Sequence, residues 1–212
     1  MIILDYSEQD HKQILRAAAL ALKHGKVVAY PTDTSYGLAV DATNATAIKK
    51  LYAIKGRDFK KPVHIIPAKK AEVAKWIVVN PLIKKLTRVL WPGAFTVVAP
   101  AALSTSAVKL LSAGTGTLGV RMPDSKIAQD LSKTLGRAIT ATSANVSGEA
   151  DCYSGDSVLA QFKNQKLKPD ILIYIKKIPK RKPSTVVVVG EDWFEILRSG
   201  PVTSKQIQEI LK

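Results

Sequence analysis

The strongest constraint on this chain is an alternation. Short apolar runs of strand length are separated, from one end to the other, by longer segments of helical periodicity. Residues 2–4 read as a short strand. Residues 8–24 read as an amphipathic helix with Ile14, Leu15, Ala18, Ala19 and Leu22 on one face, Ser7 as N-cap and Gly25 as the stop. Further strands are expected at 26–31, 63–66, 95–99, 117–122, 138–142, 170–175, 185–189 and 193–197. Helices are expected at 44–54, 69–76, 80–90, 125–135, 155–163 and from Thr203. This order specifies an α/β domain with a mixed sheet. The last two strands, split by Gly190-Glu191-Asp192, read as an antiparallel hairpin.

At 212 residues the chain has the length of one domain and enough apolar residues to bury a core. Its single cysteine, Cys152, permits no internal disulfide and suggests a reducing compartment. No signal peptide and no membrane-length apolar stretch is read, so a cytoplasmic protein without a membrane partner is expected. Charge is the unusual property: 32 Lys and Arg against 17 Asp and Glu, net +15. That excess predicts a polyanionic ligand without saying which kind. The basic, proline-bounded run at 176–183 reads as an exposed connection, either a solvated face or a phosphate contact.

Several familiar signatures fail. Gly114-Thr-Gly116-Thr-Leu-Gly119 matches a dinucleotide-binding pattern, but Val120-Arg121-Met122-Pro123 after it is strand-like, so no helix N-terminus meets a pyrophosphate. Neither a Walker A motif nor a His/Cys metal cluster is present, and no nucleophile elbow recommends a Ser-His-Asp triad.

Four segments stand out. Tyr30-Pro-Thr-Asp-Thr-Ser-Tyr-Gly-Leu38 ends a buried strand in hydroxyls and one carboxylate, where α/β sheets form pocket walls or simply turn. Lys55-Gly-Arg57 and Lys60-Lys61 crowd cations at a helix end, offsetting the helix dipole or awaiting a phosphate anion. Arg121, in an expected buried strand, needs an anionic partner: a substrate carboxylate, or an internal acid such as Asp124. Ala141-Thr-Ser-Ala-Asn-Val-Ser-Gly148 lets a bulky ligand approach the backbone, with Ser143 and Asn145 as donors, or is a tight turn. Ser184 and Arg198 add another hydroxyl and another cation at strand ends.

In this order the segments resemble the YrdC-like threonylcarbamoyl-AMP synthase family. Pro31-Thr-Asp-Thr-Ser-Tyr-Gly-Leu38 is similar to the family opening; Lys55-x-Arg57 and Ser143-x-Asn145 are similar to its paired signature elements. Trp91-Pro-Gly93, Val120-Arg121-x-Pro123, Pro183-Ser-Thr-Val186 and Leu197-Arg198-x-Gly200 match further blocks. The resemblance implies a twisted α/β sheet curved around a large central cavity, related to dihydroxybutanone-phosphate synthase. It implies a nucleotidyltransferase that condenses L-threonine, bicarbonate or CO2, and ATP to threonylcarbamoyl-AMP and pyrophosphate. The product would pass to a tRNA threonylcarbamoyltransferase for N6 modification of adenosine 37 in tRNA, with tRNA itself a candidate partner. By resemblance, Arg57, Lys61, Thr117, Ser143, Asp151 and Arg198 contact ATP. Lys55 and Asn145 join Arg57 and Ser143 in the catalytic signature. Thr34, His64, Arg121, the Ala141 backbone and Ser184 hold threonine. No cofactor is tightly bound; Mg²⁺ is expected to accompany ATP. The chain ends about a dozen residues after Arg198, so a single YrdC-like domain over 1–212 is expected, without the extra C-terminal domain of longer relatives. Two other readings stand beside the enzyme: a basic RNA- or ribosome-binding module of the same fold, and a metal-dependent phosphosugar enzyme, which would need an acidic cluster that the sequence lacks.

Overall fold

In the computed structural model, which describes residues 1–6 and 10–212, a single ten-stranded sheet organises the chain. Its first half holds β1 (Ile2–Asp5), α1 (His11–Lys23), β2 (Val28–Pro31), β3 (Tyr36–Ala39), α2 (Ala45–Lys55) and β4 (His64–Ile66). A 3-10 helix (Lys70–Lys75), α3 (Pro81–Leu90), β5 (Phe95–Pro100), α4 (Ser106–Leu111), β6 (Thr117–Arg121) and α5 (Lys126–Leu135) follow. The chain then adds β7 (Ile139–Ser143), α6 (Gly155–Phe162), β8 (Ile171–Tyr174), β9 (Thr185–Val189), β10 (Phe194–Arg198) and α7 (Ser204–Leu211). The strand order is β1-β8-β2-β3-β7-β4-β6-β5-β9-β10, with parallel and antiparallel pairs, so the sheet is mixed as expected. The β9–β10 hairpin is antiparallel as read.

Alternation along the strands assigns each face its task, because successive side chains point to opposite sides. Ile65, Val97, Leu118, Val120 and Val187 join the larger core with the buried sides of α2, α4 and α7. On the other face, Val28, Tyr30, Ala39, Ile139 and Ile171 pack under α1 and α5. That cover reaches only part of the sheet. Beyond it, the same face of β4, β6 and β5 carries His64, Gly119, Arg121 and Thr96, and this half is hollow.

Three local outcomes differ from the sequence reading. β3 lies where a turn was expected: its four residues are buried on both sides between β2 and β7, so they lack the alternation that marks a half-exposed strand. α4 was not foreseen; it is six residues long, started by the Thr105 side chain accepting from Val108 N at 3.2 Å, and too short to show a period. The segment near 69–76 is a 3-10 helix, not an α-helix. Ser7, expected as the first N-cap, lies outside the described residues; α1 begins at His11 behind Asp10, whose carboxylate accepts from Lys12 N at 2.8 Å.

One side chain supplements the ladder just past the end of β3, where Thr140 N also donates to Val40 O at 3.1 Å. The Thr140 hydroxyl donates to Leu38 O at 3.0 Å and accepts from Val40 N at 3.0 Å, in full burial. An isosteric Thr140→Val substitution orphans a buried N–H, worth about 1–3 kcal/mol. We expect urea unfolding to show that loss with an unchanged slope, and a melting temperature lower by roughly 2–4 °C per kcal/mol; wild-type stability would show that the stitch carries nothing.

Candidate active site

The hollow half of the sheet is an open cavity, about 840 Å³ when the solvent at its mouth is counted. Register sets its wall. Across β2, β3 and β7, Tyr30 stands opposite Gly37 and Gly37 opposite Ser143. Across β7 and β4, Ala141 faces His64; across β6 and β5, Arg121 faces Thr96. Close packing requires glycine at 119 and favours it at 37. A Cβ at Gly119 would stand 2.2 Å from the His64 ring, and one at Gly37 would stand 3.1 Å from the Tyr30 ring. The glycine-rich stretch before β6 is therefore a strand entry, as its rejection as a dinucleotide motif anticipated.

The turn after β2 is folded by its own hydroxyls. Thr32 Oγ1 donates to Ser35 O at 2.6 Å and accepts from Thr34 N at 3.1 Å. This places Asp33 and Thr34 against Arg121, which is 8% exposed. Arg121 Nη2 donates to Asp33 Oδ1 at 2.6 Å, Nη1 to Thr34 Oγ1 at 3.1 Å, and Nε to Gly93 O at 3.2 Å. The internal acid is thus Asp33, not Asp124, whose backbone N instead donates to Asp33 Oδ2 at 3.2 Å. Of the five guanidinium N–H groups, one on each terminal nitrogen stays uncommitted, a pair suited to a carboxylate.

Two more arginines reach the same cavity. Arg57 follows α2, which ends at Gly56 with φ 56°, a left-handed cap that glycine adopts freely. Its Nε donates to Lys61 O at 3.2 Å and its Nη2 to Pro62 O at 3.0 Å. Arg198, at the end of β10, donates from Nε to Ser184 O at 3.0 Å and from Nη2 to Ser184 Oγ at 2.9 Å. Burial, then Arg121, lowers its pKa below the ordinary arginine value. Asp151 is the wall's one carboxylate. Burial first, then Arg198, Arg57 and Arg121, pushes His64 down to about 3, so its imidazole is neutral at physiological pH. The result is a cationic pocket built to receive an anion.

Of the residues expected to form the site, Arg57, Ser143, Asp151, Arg198, Thr34, His64, Arg121, Ala141 and Ser184 line the cavity. Four stand elsewhere. Lys55 is 1% exposed and lies behind the wall. Its ammonium donates to Ser143 O, to Asn145 O at 2.8 Å and to Asn145 Oδ1 at 3.0 Å, which uses all three protons. Asn145 Oδ1 also accepts from Ser143 Oγ at 2.6 Å, and its amide nitrogen donates to Glu149 O at 2.6 Å. Lys55 and Asn145, expected as catalytic groups, thus form a clasp that holds Ser143 and the loop after it. Burial, with Arg57 second, pulls Lys55 below the ordinary lysine value, and the three oxygen acceptors around its nitrogen oppose that shift by favouring the ammonium form. Lys61 is exposed and enters the network only through its carbonyl. Thr117 shares the strand face of Gly119 and Arg121 but sits at the far end of β6, its hydroxyl 3.0 Å from that of Thr115. The wall also holds groups not singled out in the sequence, including Ile66, Thr96 and Thr142. Thr96 carried a readable signal: a hydroxyl in an otherwise apolar strand.

Among the described residues no group of three or more His, Cys, Asp and Glu is placed to hold a metal ion, and no helix is long and apolar enough to cross a membrane.

A family model described as telomere recombination, Sua5–YciO–YrdC, matches residues 20–200. A putative threonylcarbamoyl-AMP synthase of Methanocaldococcus jannaschii is 31% identical over 97% of this chain and 94% of its own. The structure of Pyrococcus abyssi Sua5 complexed with L-threonine superposes with a TM-score of 0.87 at 30% identity, covering 99% of this chain; this chain spans 60% of that protein's length. The phosphate- and nucleotide-bound form of HypF matches with a TM-score of 0.72 at 27% identity, over 87% of this chain and 28% of the HypF chain.

Two outcomes separate framework from wall. Lys55→Met leaves the buried Asn145 carbonyl and the half-buried Ser143 carbonyl without their charged donor, so denaturant unfolding should show a loss of about 3 kcal/mol, whereas Arg57→Ala at the open rim should stay within about 0.5 kcal/mol of wild type. Equal stabilities for the two variants would count against the clasp. The second outcome concerns acid. His64 binds its proton near pH 3 when folded and near pH 6.5 when unfolded, so the unfolded chain takes up the extra proton in between. Stability falls as pH drops through that window, by at most about 1.4 kcal/mol per pH unit from this group. His64→Gln should flatten the profile between pH 6 and 4, and parallel profiles would dismiss the assignment.

Proposed function

Because this chain belongs to the Sua5–YciO–YrdC family, we propose that it is an L-threonylcarbamoyl-AMP synthase, condensing L-threonine, bicarbonate or CO2, and ATP, and releasing pyrophosphate. The observation that carries this reading is the convergence of Arg57, Arg121 and Arg198 on one cavity that lacks an activated nucleophile. The Ser143 hydroxyl gives its proton to an amide oxygen, and among the described hydrogen bonds no wall hydroxyl donates to His64 or to a carboxylate. Such a site performs chemistry in which the substrates react with one another, and the protein supplies position and charge neutralisation.

The amine of threonine adds to CO2, forming a carbamate and releasing a proton. A carbamate oxygen then attacks the α-phosphorus of ATP, and the bond to pyrophosphate breaks. In this reading the two uncommitted N–H groups of Arg121 take the threonine carboxylate, in an orientation preset by Asp33 and Thr34. Arg57 and Arg198 face the phosphates, where developing charge needs offsetting. By the same reading Ser143 and Asp151 would contact the nucleotide, and His64, Ala141 and Ser184 would border threonine. Thr117 and Lys61 would be reached only by a ligand extending beyond the cavity along β6 or over its rim. Mg²⁺ would be held by the triphosphate itself, since Asp151 is the wall's one carboxylate. A tRNA threonylcarbamoyltransferase would consume the product. A cavity of this size, lined by arginines and hydroxyls, asks for a small anionic ligand and gives no reason to prefer a binding module.

The test is release of pyrophosphate by purified protein. It should require threonine, bicarbonate and ATP together, and Arg57→Ala should lower it by at least about 100-fold. Release that ignores threonine, or a variant as fast as wild type, would sink the reading.

A further inference from the structure

The hydroxyls around the cavity differ in what they have left to give. Tyr30 donates to Thr140 O, Tyr36 to Ile175 O, Thr32 to Ser35 O and Ser143 to Asn145 Oδ1. Thr34 lies 3.2 Å from Thr32 Oγ1; since Thr32 has spent its own proton, Thr34 is the donor of that pair. All five protons are therefore committed inside the protein.

Ser35 and Thr142 line the cavity as well, but Thr96 and Ser184 are set apart by being bonded to each other and, through Ser184, to an arginine. Their hydroxyl oxygens are 2.9 Å apart, both residues are buried, and both line the cavity. The pair owns two O–H protons, and one hydrogen bond between them uses one. Ser184 Oγ is already an acceptor for Arg198 Nη2, and its carbonyl accepts from Arg198 Nε. Thr96 stands directly opposite Arg121 on the neighbouring strand, which puts the two side chains on one face. One unspent hydroxyl proton thus sits between two guanidinium groups.

We propose that Thr96 is a positioning residue: through Ser184 it fixes the Arg198 guanidinium, and the pair presents its remaining proton to an anionic oxygen held between Arg121 and Arg198. The chain of contacts is short and directional. Without the Thr96 hydroxyl, Ser184 Oγ can turn toward another partner, and Arg198 keeps only its bond to the Ser184 carbonyl. The anion is of carboxylate, carbamate or phosphoryl type, each offering acceptor oxygens to all three donors.

In its catalytic consequence this inference rests on the synthase reading, so the experiment has one arm that needs turnover and one that does not. Thr96→Val keeps the shape and removes the hydroxyl; Thr96→Ser keeps the hydroxyl. With inorganic phosphate as the probe, calorimetric titration should show about tenfold weaker binding for Thr96→Val and binding within about threefold of wild type for Thr96→Ser. In pyrophosphate release, kcat/KM for threonine should fall by about 10- to 100-fold in Thr96→Val and recover in Thr96→Ser, with both melting temperatures near wild type. Should Thr96→Val disturb folding, Ser184→Ala carries the same phosphate titration and the same expected weakening. Phosphate affinity unchanged in both Thr96→Val and Ser184→Ala overturns the proposal, as does Thr96→Ser impaired as deeply as Thr96→Val, which would assign the effect to the methyl group. If wild type releases no pyrophosphate, the synthase reading fails while the phosphate titration still decides the role of Thr96.

Discussion

A buried cation has to find oxygen atoms, and this fold is arranged around two cations that do. Lys55 is almost fully buried and takes three oxygens from the segment that ends β7. Arg121 is buried in the wall of the cavity and takes Asp33, Thr34 and a backbone carbonyl. Each would cost several kcal/mol if left unpaired. Each therefore fixes the loop that supplies its oxygens, and those two loops leave the same end of the adjacent strands β3 and β7, where Ala144 N donates to Tyr36 O at 2.7 Å. The same physics leads to opposite outcomes. Lys55 has no proton left and acts as framework, whereas Arg121, with five N–H groups on a planar fork, is held in place and still has two to offer.

The emptiness of the cavity is also specified by side chains. Along the hollow face the strands carry Gly37, Ala141 and Gly119 where larger residues would fill the space, and the packing of His64 over Gly119 leaves no room for a Cβ. Burial of His64 amid three arginines keeps it uncharged. A neutral ring there adds no repulsion to an already cationic wall, so the three guanidinium groups can converge without a fourth positive charge.

Much of this was legible in the sequence, and the gaps have physical reasons. The alternation of strand and helix segments gave the α/β class because apolar periodicity reports burial directly. β3 escaped because a strand buried on both sides has no alternation, and α4 because six residues do not complete two turns. Nine of the expected site residues reach the wall; most lie in or beside strands whose side chains face a common space, while Arg57 follows α2 and Asp151 lies in the connection between β7 and α6. Lys55 and Asn145 show what pattern reading cannot separate. A lysine that contacts a phosphate and a lysine that ties down the loop contacting it occupy the same place in a motif, and only the three acceptor oxygens distinguish them. Thr96 illustrates the converse: a polar residue in an apolar strand is a visible oddity, but its partner Ser184 is far along the chain.

The net charge of +15 belongs only in small part to the wall. A further share is placed by the topology of the sheet. β8 is second in strand order and β9 ninth, yet only residues 175–184 join them. Across a flat sheet, seven strand spacings amount to about 34 Å, close to the roughly 36–40 Å that such a connection spans at full extension. The curl that makes the cavity shortens this path, and the slack is used: Ile178 is buried, and its N–H donates to Tyr153 O at 2.8 Å. Its neighbours Lys176, Lys177, Lys180, Arg181 and Lys182 are exposed, and the strap runs directly into Pro183 and Ser184 of the wall. Five cations therefore approach the mouth of an arginine-lined cavity without entering it. Their field adds to that of the cavity and favours the approach of an anion from solution.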